Sequence, residues 1–180
     1  MKILDVITQR QSDRSYKAIP VEAEKIKLCI EAGQLAPSAC NAQPWKFIVV
    51  DNQELITEIA ASSTSLGMNK FLHQVPVIIV VVLEKANAAS FIGRMIKGKD
   101  YTVMDIGIAV ENICLQATDL GLGSCIIGWF GEKKVKRLLH IPKSRKVPLI
   151  ITLGYTDGEK REKIRKSMEK ICSYNSYTDK

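Results

Sequence analysis

Ile3, Val6 and Ile7 recur at helical spacing with Lys2, Asp5 and Gln9 between them, and this predicts a short amphipathic helix over Lys2 to Arg10. A polar stretch, Gln11 to Pro20, follows. The apolar positions 26, 29, 30 and 33 then predict a second helix over Val21 to Ala36, with Glu22 and Glu24 in its first turn, where the helix dipole favours acids. Pro37 ends it, because the residue before a proline is pushed out of the α region.

Trp45 to Val50 is an aromatic and β-branched run that predicts a strand. Asp51 and Glu54 stand at capping-box spacing and open a helix reaching about Ser63. The aliphatic run Val77 to Leu83 is too short for most helices and too uniformly apolar for a half-wetted strand, so it predicts a central strand buried on both faces. Ala86 to Tyr101 is polar, with Gly93 and Gly98, and reads as a mobile segment.

From Thr102 to Leu120 apolar residues fall at 106, 109, 110, 113, 114, 117 and 120, and Ile108 and Leu115 add a second apolar side. Such a helix is largely buried and suits a subunit interface. Gly121 and Gly123 punctuate its end, and Ser124 to Phe130 continues as a third strand or extended segment. A short helix, Glu132 to His140, precedes a strand over Val147 to Tyr155; Lys160 to Ile171 reads as a basic arm ending in a short helix. Interleaved helices and strands indicate an α/β or α+β domain spanning residues 1–180, with a sheet of four or five strands covered by helices.

Composition narrows the function. The net charge of +7 raises nucleic acid as a partner, but the basic residues cluster at Lys133 to Arg137 and Lys160 to Lys170 without interleaved aromatics, which argues against it. Five widely spaced cysteines form no C-x-x-C pair and have only two histidines beside them, so no metal site is expected and the thiols are expected to be free. Met1 leads directly into Lys2-Ile-Leu-Asp-Val-Ile without a signal peptide's cleavage site, which points to a reducing, cytoplasmic compartment. The longest apolar run, Val75 to Leu83, contains Pro76 and is far below the ~18 residues a membrane span needs, so no membrane association is expected.

Three separated stretches carry candidate chemistry. Arg10-Gln-Ser-Asp-Arg14 offers two guanidinium forks and a hydroxyl suited to a terminal phosphate, or is a solvated helix end. Ala36-Pro-Ser-Ala-Cys-Asn-Ala-Gln-Pro-Trp45 is a turn whose two prolines fix polar groups at low entropic cost; alternatively Asn41 makes its own Asx turn, and Trp45 and Cys40 belong to the core. Gly121-Leu-Gly-Ser-Cys-Ile-Ile-Gly-Trp-Phe130 is an apolar strand bracketed by glycines that let a flat ligand approach, or simply a buried strand with a glycine-rich entry. No G-x-G-x-x-G follows a strand and there is no Walker lysine loop.

In their order and spacing the three stretches resemble the nitroreductase family of flavin enzymes, and the resemblance covers nearly the whole chain. It implies a three-layer α/β/α fold of the α+β class, with a mostly antiparallel central sheet. It also implies a homodimer that binds FMN at its interface and carries two electrons from NADH or NADPH to a small-molecule acceptor, a nitroaromatic or quinone, by a ping-pong route.

The same resemblance assigns roles. Arg10 and Ser12 match phosphate and ribityl contacts, Gln11 offers its backbone, and Arg14 matches a basic residue at the pyrimidine edge of the ring. Pro37, Ser38 and Asn41 match a loop that reaches the flavin from the other subunit, with Gln43 in support. Ile126, Ile127 and Gly128 match the segment whose backbone N–H groups face the reactive edge. Arg165 is the first choice for a C-terminal phosphate clamp, with Lys163 and Lys166 beside it, and Asn69 matches a residue near the flavin. No catalytic side chain is implied, because the cofactor carries the chemistry. Many relatives have arginine where Gln11 stands.

Three other functions remain open at this level: a flavin-storing or sensing protein with little turnover, a relative dedicated to one substrate such as a dehalogenase or azoline dehydrogenase, and thiol catalysis by Cys125 or Cys40. The last has only His73 and His140 as imidazole partners, and neither lies in an acid-base motif.

Overall fold

The aliphatic run forms strand β2 (Val77–Leu83), and the computed structural model, which describes residues 2–64, 67–85 and 99–178, shows why all of it is apolar. Side chains alternate between the two faces of a strand. Ile78, Val80 and Val82 enter one hydrophobic cluster, and Val77, Ile79 and Val81 enter another on the opposite face. β2 lies between β1 (Trp45–Val50) and β4 (Lys146–Gly154), and β3 (Gly123–Ile127) pairs with the far side of β4. All three pairings are antiparallel, and among the described residues the sheet has four strands in the order β1-β2-β4-β3.

Helices cover both faces. The first cluster is closed by α3 (Gln53–Ala61), a 3-10 turn at Lys70–Gln74 and α5 (Glu132–Leu138), through Ile56, Ile59, Leu72 and Val135. The second is closed by α2 (Ala23–Gln34) and α4 (Tyr101–Asp119), through Ile26, Cys29, Ile106, Val110 and Ile113. This is the expected α+β fold in three layers. The ends of the chain carry α1 (Ile3–Gln9) and the single-turn α6 (Met168–Ile171).

Some boundaries differ from the sequence reading, each for a local reason. Asn52, not Asp51, caps α3: its side-chain oxygen accepts the Leu55 N–H at 2.9 Å. β3 stops at Ile127 rather than Phe130, and Phe130 packs beside the first cluster. One extra residue of β4 lies opposite β2 between the pairs Val81–Leu149 and Leu83–Lys146. That bulge holds Pro148 and turns Val147 to the first cluster, while Leu149, Ile151 and Leu153 face the second.

The segment expected to be mobile lies outside the described residues up to position 98. Near its end Asp100 caps α4 by accepting from the Thr102 N–H and hydroxyl. Gly121 (φ 75°) closes α4, with its own N–H on the Thr118 carbonyl and the Leu122 N–H on Ala117.

The apolar faces of α1 and α4 are only half covered. Val6 is buried, but Ile3 and Leu4 are mostly exposed, as are Val103 and Met104 on α4. Among the described residues no helix is long and apolar enough to cross a membrane.

The glycines of the third motif divide by function. A Cβ on Gly123 would stand 2.0 Å from Thr156 Cγ2 and 2.7 Å from Asp13 Oδ2, whereas one on Gly128 would meet nothing within 4 Å. Gly123→Ala is therefore expected to lower stability by about 2 kcal/mol. Gly128→Ala is expected to stay within about 0.5 kcal/mol of the parent chain. Urea unfolding midpoints of the two variants check the difference.

Candidate active site

After α1 the chain runs along the outer edge of β3. Ser12 forms a parallel bridge with Ser124, and the Asp13 N–H donates to the Ser124 carbonyl at 2.9 Å. Tyr16 anchors the segment: its buried phenol donates to the Asp13 carbonyl at 3.0 Å and lies 2.6 Å from the Thr152 hydroxyl. Burial pushes this phenol far above its usual range, so it stays protonated and serves as a fixed strut. Arg10, Gln11, Ser12 and Arg14 are thereby set in a row beside the sheet.

The C-terminal arm returns along the same row. Lys160 Nζ donates to the Gln9 carbonyl at 3.3 Å, Lys163 Nζ to the Arg10 carbonyl, and Arg161 through its guanidinium to the Ser12 carbonyl at 2.6 Å. Between the two ends of the chain lies a cleft of about 400 Å³ walled by Arg10, Gln11, Ser12, Arg14 and residues 161–165. Five of those residues are cationic; Glu162 is the one acid among them, and Glu111 of α4 stands 3.4 Å from Arg10 Nε. Burial, then repulsion from Arg10 and Arg165, pushes the Lys163 ammonium below its ordinary range. Such a concavity is relieved by an anion.

β3 contributes backbone to the same region. In an antiparallel ladder each residue points its N–H and C=O to one side, and successive residues alternate. The Ser124 carbonyl faces Asp13, so Cys125 and Ile127 are spent on β4, where they pair with Thr152 and Ile150, and Ile126 faces the open edge. Ile127 is buried in the first cluster; Ile126 and Gly128 are exposed. Asn69, in the left-handed region at φ 55°, donates to the Trp129 carbonyl at 2.7 Å and so braces the backbone just past Gly128.

The proline turn lines no part of this cleft in its own chain. Cys40, Asn41 and Gln43 all have positive φ, at 52°, 49° and 45°, within four residues. Three contacts hold that shape: Asp105 Oδ1 accepts the Ala39 N–H at 3.1 Å, Ser38 Oγ accepts the Gln43 N–H at 2.9 Å, and the Gln43 amide donates to Asn41 Oδ1 at 3.0 Å. Pro37 and Asn41 are exposed, whereas Trp45 packs beside the second cluster and stacks with Phe47. The turn is thus rigid and presented outward, fastened to the first part of α4.

Of the residues expected at the site, the structure gathers Arg10, Gln11, Ser12, Arg14, Lys163 and Arg165 around one cleft and brings the edge of β3 beside Ser12. It leaves Pro37, Ser38 and Asn41 apart, and Lys166 is exposed outside the cleft wall. Arg161, Glu111 and Asp105 escaped the sequence reading. Glu111 and Asp105 had a signal: each is an acid on a helix whose other positions are mostly apolar. Arg161 had none, being one cation in a charged run.

None of the five cysteines is joined in a disulfide. Burial raises Cys125, with opposing effects from Arg14 and a hydrogen bond to Ser12, and it pushes Cys29 up to about 12 and Cys114 to about 11. These three are protonated near neutrality and make poor nucleophiles.

The Nitroreductase family model matches residues 7–155. The chain is 30% identical to an oxygen-insensitive NADPH nitroreductase of Helicobacter pylori, over 93% of this chain and 96% of that protein. It is 31% identical to an FMN-dependent nitroreductase of Clostridium difficile whose solved structure matches with a TM-score of 0.81, over 97% and 99% of the two chains. The NADPH:FMN oxidoreductase of Vibrio harveyi, solved in complex with NAD+, shares the fold at 22% identity and a TM-score of 0.82, over 98% of this chain and 78% of that one. The chain belongs to the nitroreductase family.

Proposed function

We propose that the protein is an FMN-dependent NAD(P)H oxidoreductase that reduces nitroaromatic, quinone or related acceptors and is complete only as a homodimer. The observation that carries this reading is the cleft in which cations from both ends of the chain meet beside the open edge of β3. The residues fit the cofactor. An anionic phosphate suits a wall of five cations with a desolvated lysine among them. A flat ring suits Gly128, whose α-carbon has open space beside it, and the outward-facing backbone of Ile126.

Arg10, Lys163 and Arg165 hold the phosphate, with the Ser12 hydroxyl and the Gln11 backbone alongside. Arg14 sets positive charge at the pyrimidine edge. Ile126 and Gly128 offer backbone groups to the ring, and Ile127 fixes the segment by its burial. When bound, FMN takes two electrons from NADH or NADPH and passes them to the acceptor. The protein's share is to bind and orient the reactants and keep water away.

The second copy supplies what one chain lacks. Ile3, Val6, Leu35 and Leu115 line a groove of about 410 Å³ between α1, α2 and α4, with Asn112, Gln116 and Asp119 on its α4 side, and Val103, Met104 and Ile108 are exposed earlier along α4. An exposed apolar surface of this kind marks an interface. Asp105, which fastens the proline turn, lies between Met104 and Ile106 on the same helix. A copy docked on α4 therefore carries its own Pro37, Ser38 and Asn41 to the interface, and the two sites are shared.

The purified protein, loaded with FMN, is expected to be yellow and to bleach when NADH or NADPH is added without air. Protein that cannot be loaded, or colour that persists under excess nicotinamide, overturns the reading. Arg10→Ala is expected to weaken FMN binding by about tenfold to a hundredfold, the range of a lost hydrogen bond to a charged group, in a fluorescence titration. Ile108→Glu, which sets a charge on the exposed side of α4, is expected to give a monomer in light scattering and to lose FMN with the partner's turn.

A further inference from the structure

Gln11 forms three hydrogen bonds through its side chain, all within its own chain. Its amide nitrogen donates to Asp13 Oδ1 at 2.8 Å and to the Glu159 carbonyl at 3.2 Å, and its oxygen accepts the Arg161 N–H at 3.0 Å. A primary amide has two N–H donors, so both are spent. Asp13 is itself buried and tied by its N–H to β3. The side chain thus joins the edge of the sheet to the arm, across 148 residues to Glu159 and 150 to Arg161.

The arm needs such a fastening. Residues 159–167 belong to no helix or strand, so their path along the cleft is set by contacts with the start of the chain. Most of those contacts use cations: Lys160, Arg161 and Lys163 donate to the carbonyls of Gln9, Ser12 and Arg10. A phosphate in the cleft competes for Arg161 and Lys163, which line it. The bonds of Gln11 reach the arm's backbone and use no charge, so they persist when the cations turn to an anion.

We propose that the side chain of Gln11 is a positioning group: it fastens the C-terminal arm and thereby sets the affinity for the phosphate of FMN, while only the Gln11 backbone stands beside the cofactor. This rests on the reading that the cleft holds FMN. Riboflavin has the same ring without the phosphate, so the two flavins separate positioning of the arm from contact with the ring.

The test is titration of FMN and of riboflavin into the flavin-free protein, as the parent chain, Gln11→Ala and Gln11→Leu, with limited trypsin digestion of the same three proteins. Both variants are expected to weaken FMN by about tenfold and to change riboflavin by less than about twofold. Trypsin is expected to cut after Lys160, Arg161 and Lys163 about fivefold faster in the variants, at an unchanged thermal midpoint. Equal loss for both flavins, unchanged FMN affinity, or unchanged cleavage overturns the proposal. A parent chain that binds neither flavin overturns the FMN reading instead, and the trypsin rates still decide whether Gln11 fastens the arm.

Discussion

The attachment of the chain's first segment to the edge of β3 is the constraint on which the site depends. One ladder contact between Asp13 and Ser124, with the Tyr16 phenol beneath it, decides where four potential ligand residues stand. The same attachment covers part of an edge strand that would otherwise expose its backbone. Among the described residues the remainder of that edge, at Ile126, stays open, and it lies beside the charged row rather than at a random place on the surface. Sheet topology thus does two things at once: it leaves a strand unpaired on one side and delivers a loop to half of it.

Electrostatics gives that arrangement its direction. Cations drawn from both ends of the chain are held close together, and burial with repulsion from Arg10 and Arg165 disfavours the ammonium of Lys163 among them. Lys160, Arg161 and Lys163 of the arm meet backbone carbonyls, neutral acceptors that compensate charge weakly, while Arg10 pairs with Glu111. Folding of the sheet and burial of two cores supply the stability that keeps this unfavourable cluster assembled.

Much of the fold was legible because it rests on hydrophobic patterning. β2 announced itself as a run without a polar residue, and both of its faces are indeed buried. Boundaries were less legible where adjacent residues have the same chemistry, as with Asp51 and Asn52, either able to cap a helix. The end of β3 was left between strand and extended segment because Ile127 and Phe130 both serve the first cluster, one from a strand and one from a loop. At the site, the motifs around Arg10, Asn41 and Gly128 could be picked out, but not the contacts that fix them. Arg161 bonds to Ser12 across a separation that no local spacing records, and the carboxylate of Asp105 meets the proline turn across 66 residues.

The proline turn bears one further consequence. Left-handed backbone at Cys40 and Gln43 is a conformation that glycine adopts freely and that other side chains adopt at a penalty of order 1 kcal/mol each. The chain places side chains there regardless, so its unfolded ensemble is narrower than a glycine-rich loop would allow and its native turn has few competing shapes. The segment is consequently a poor hinge: motion at this end of the molecule has to come from α4 moving with it as a unit.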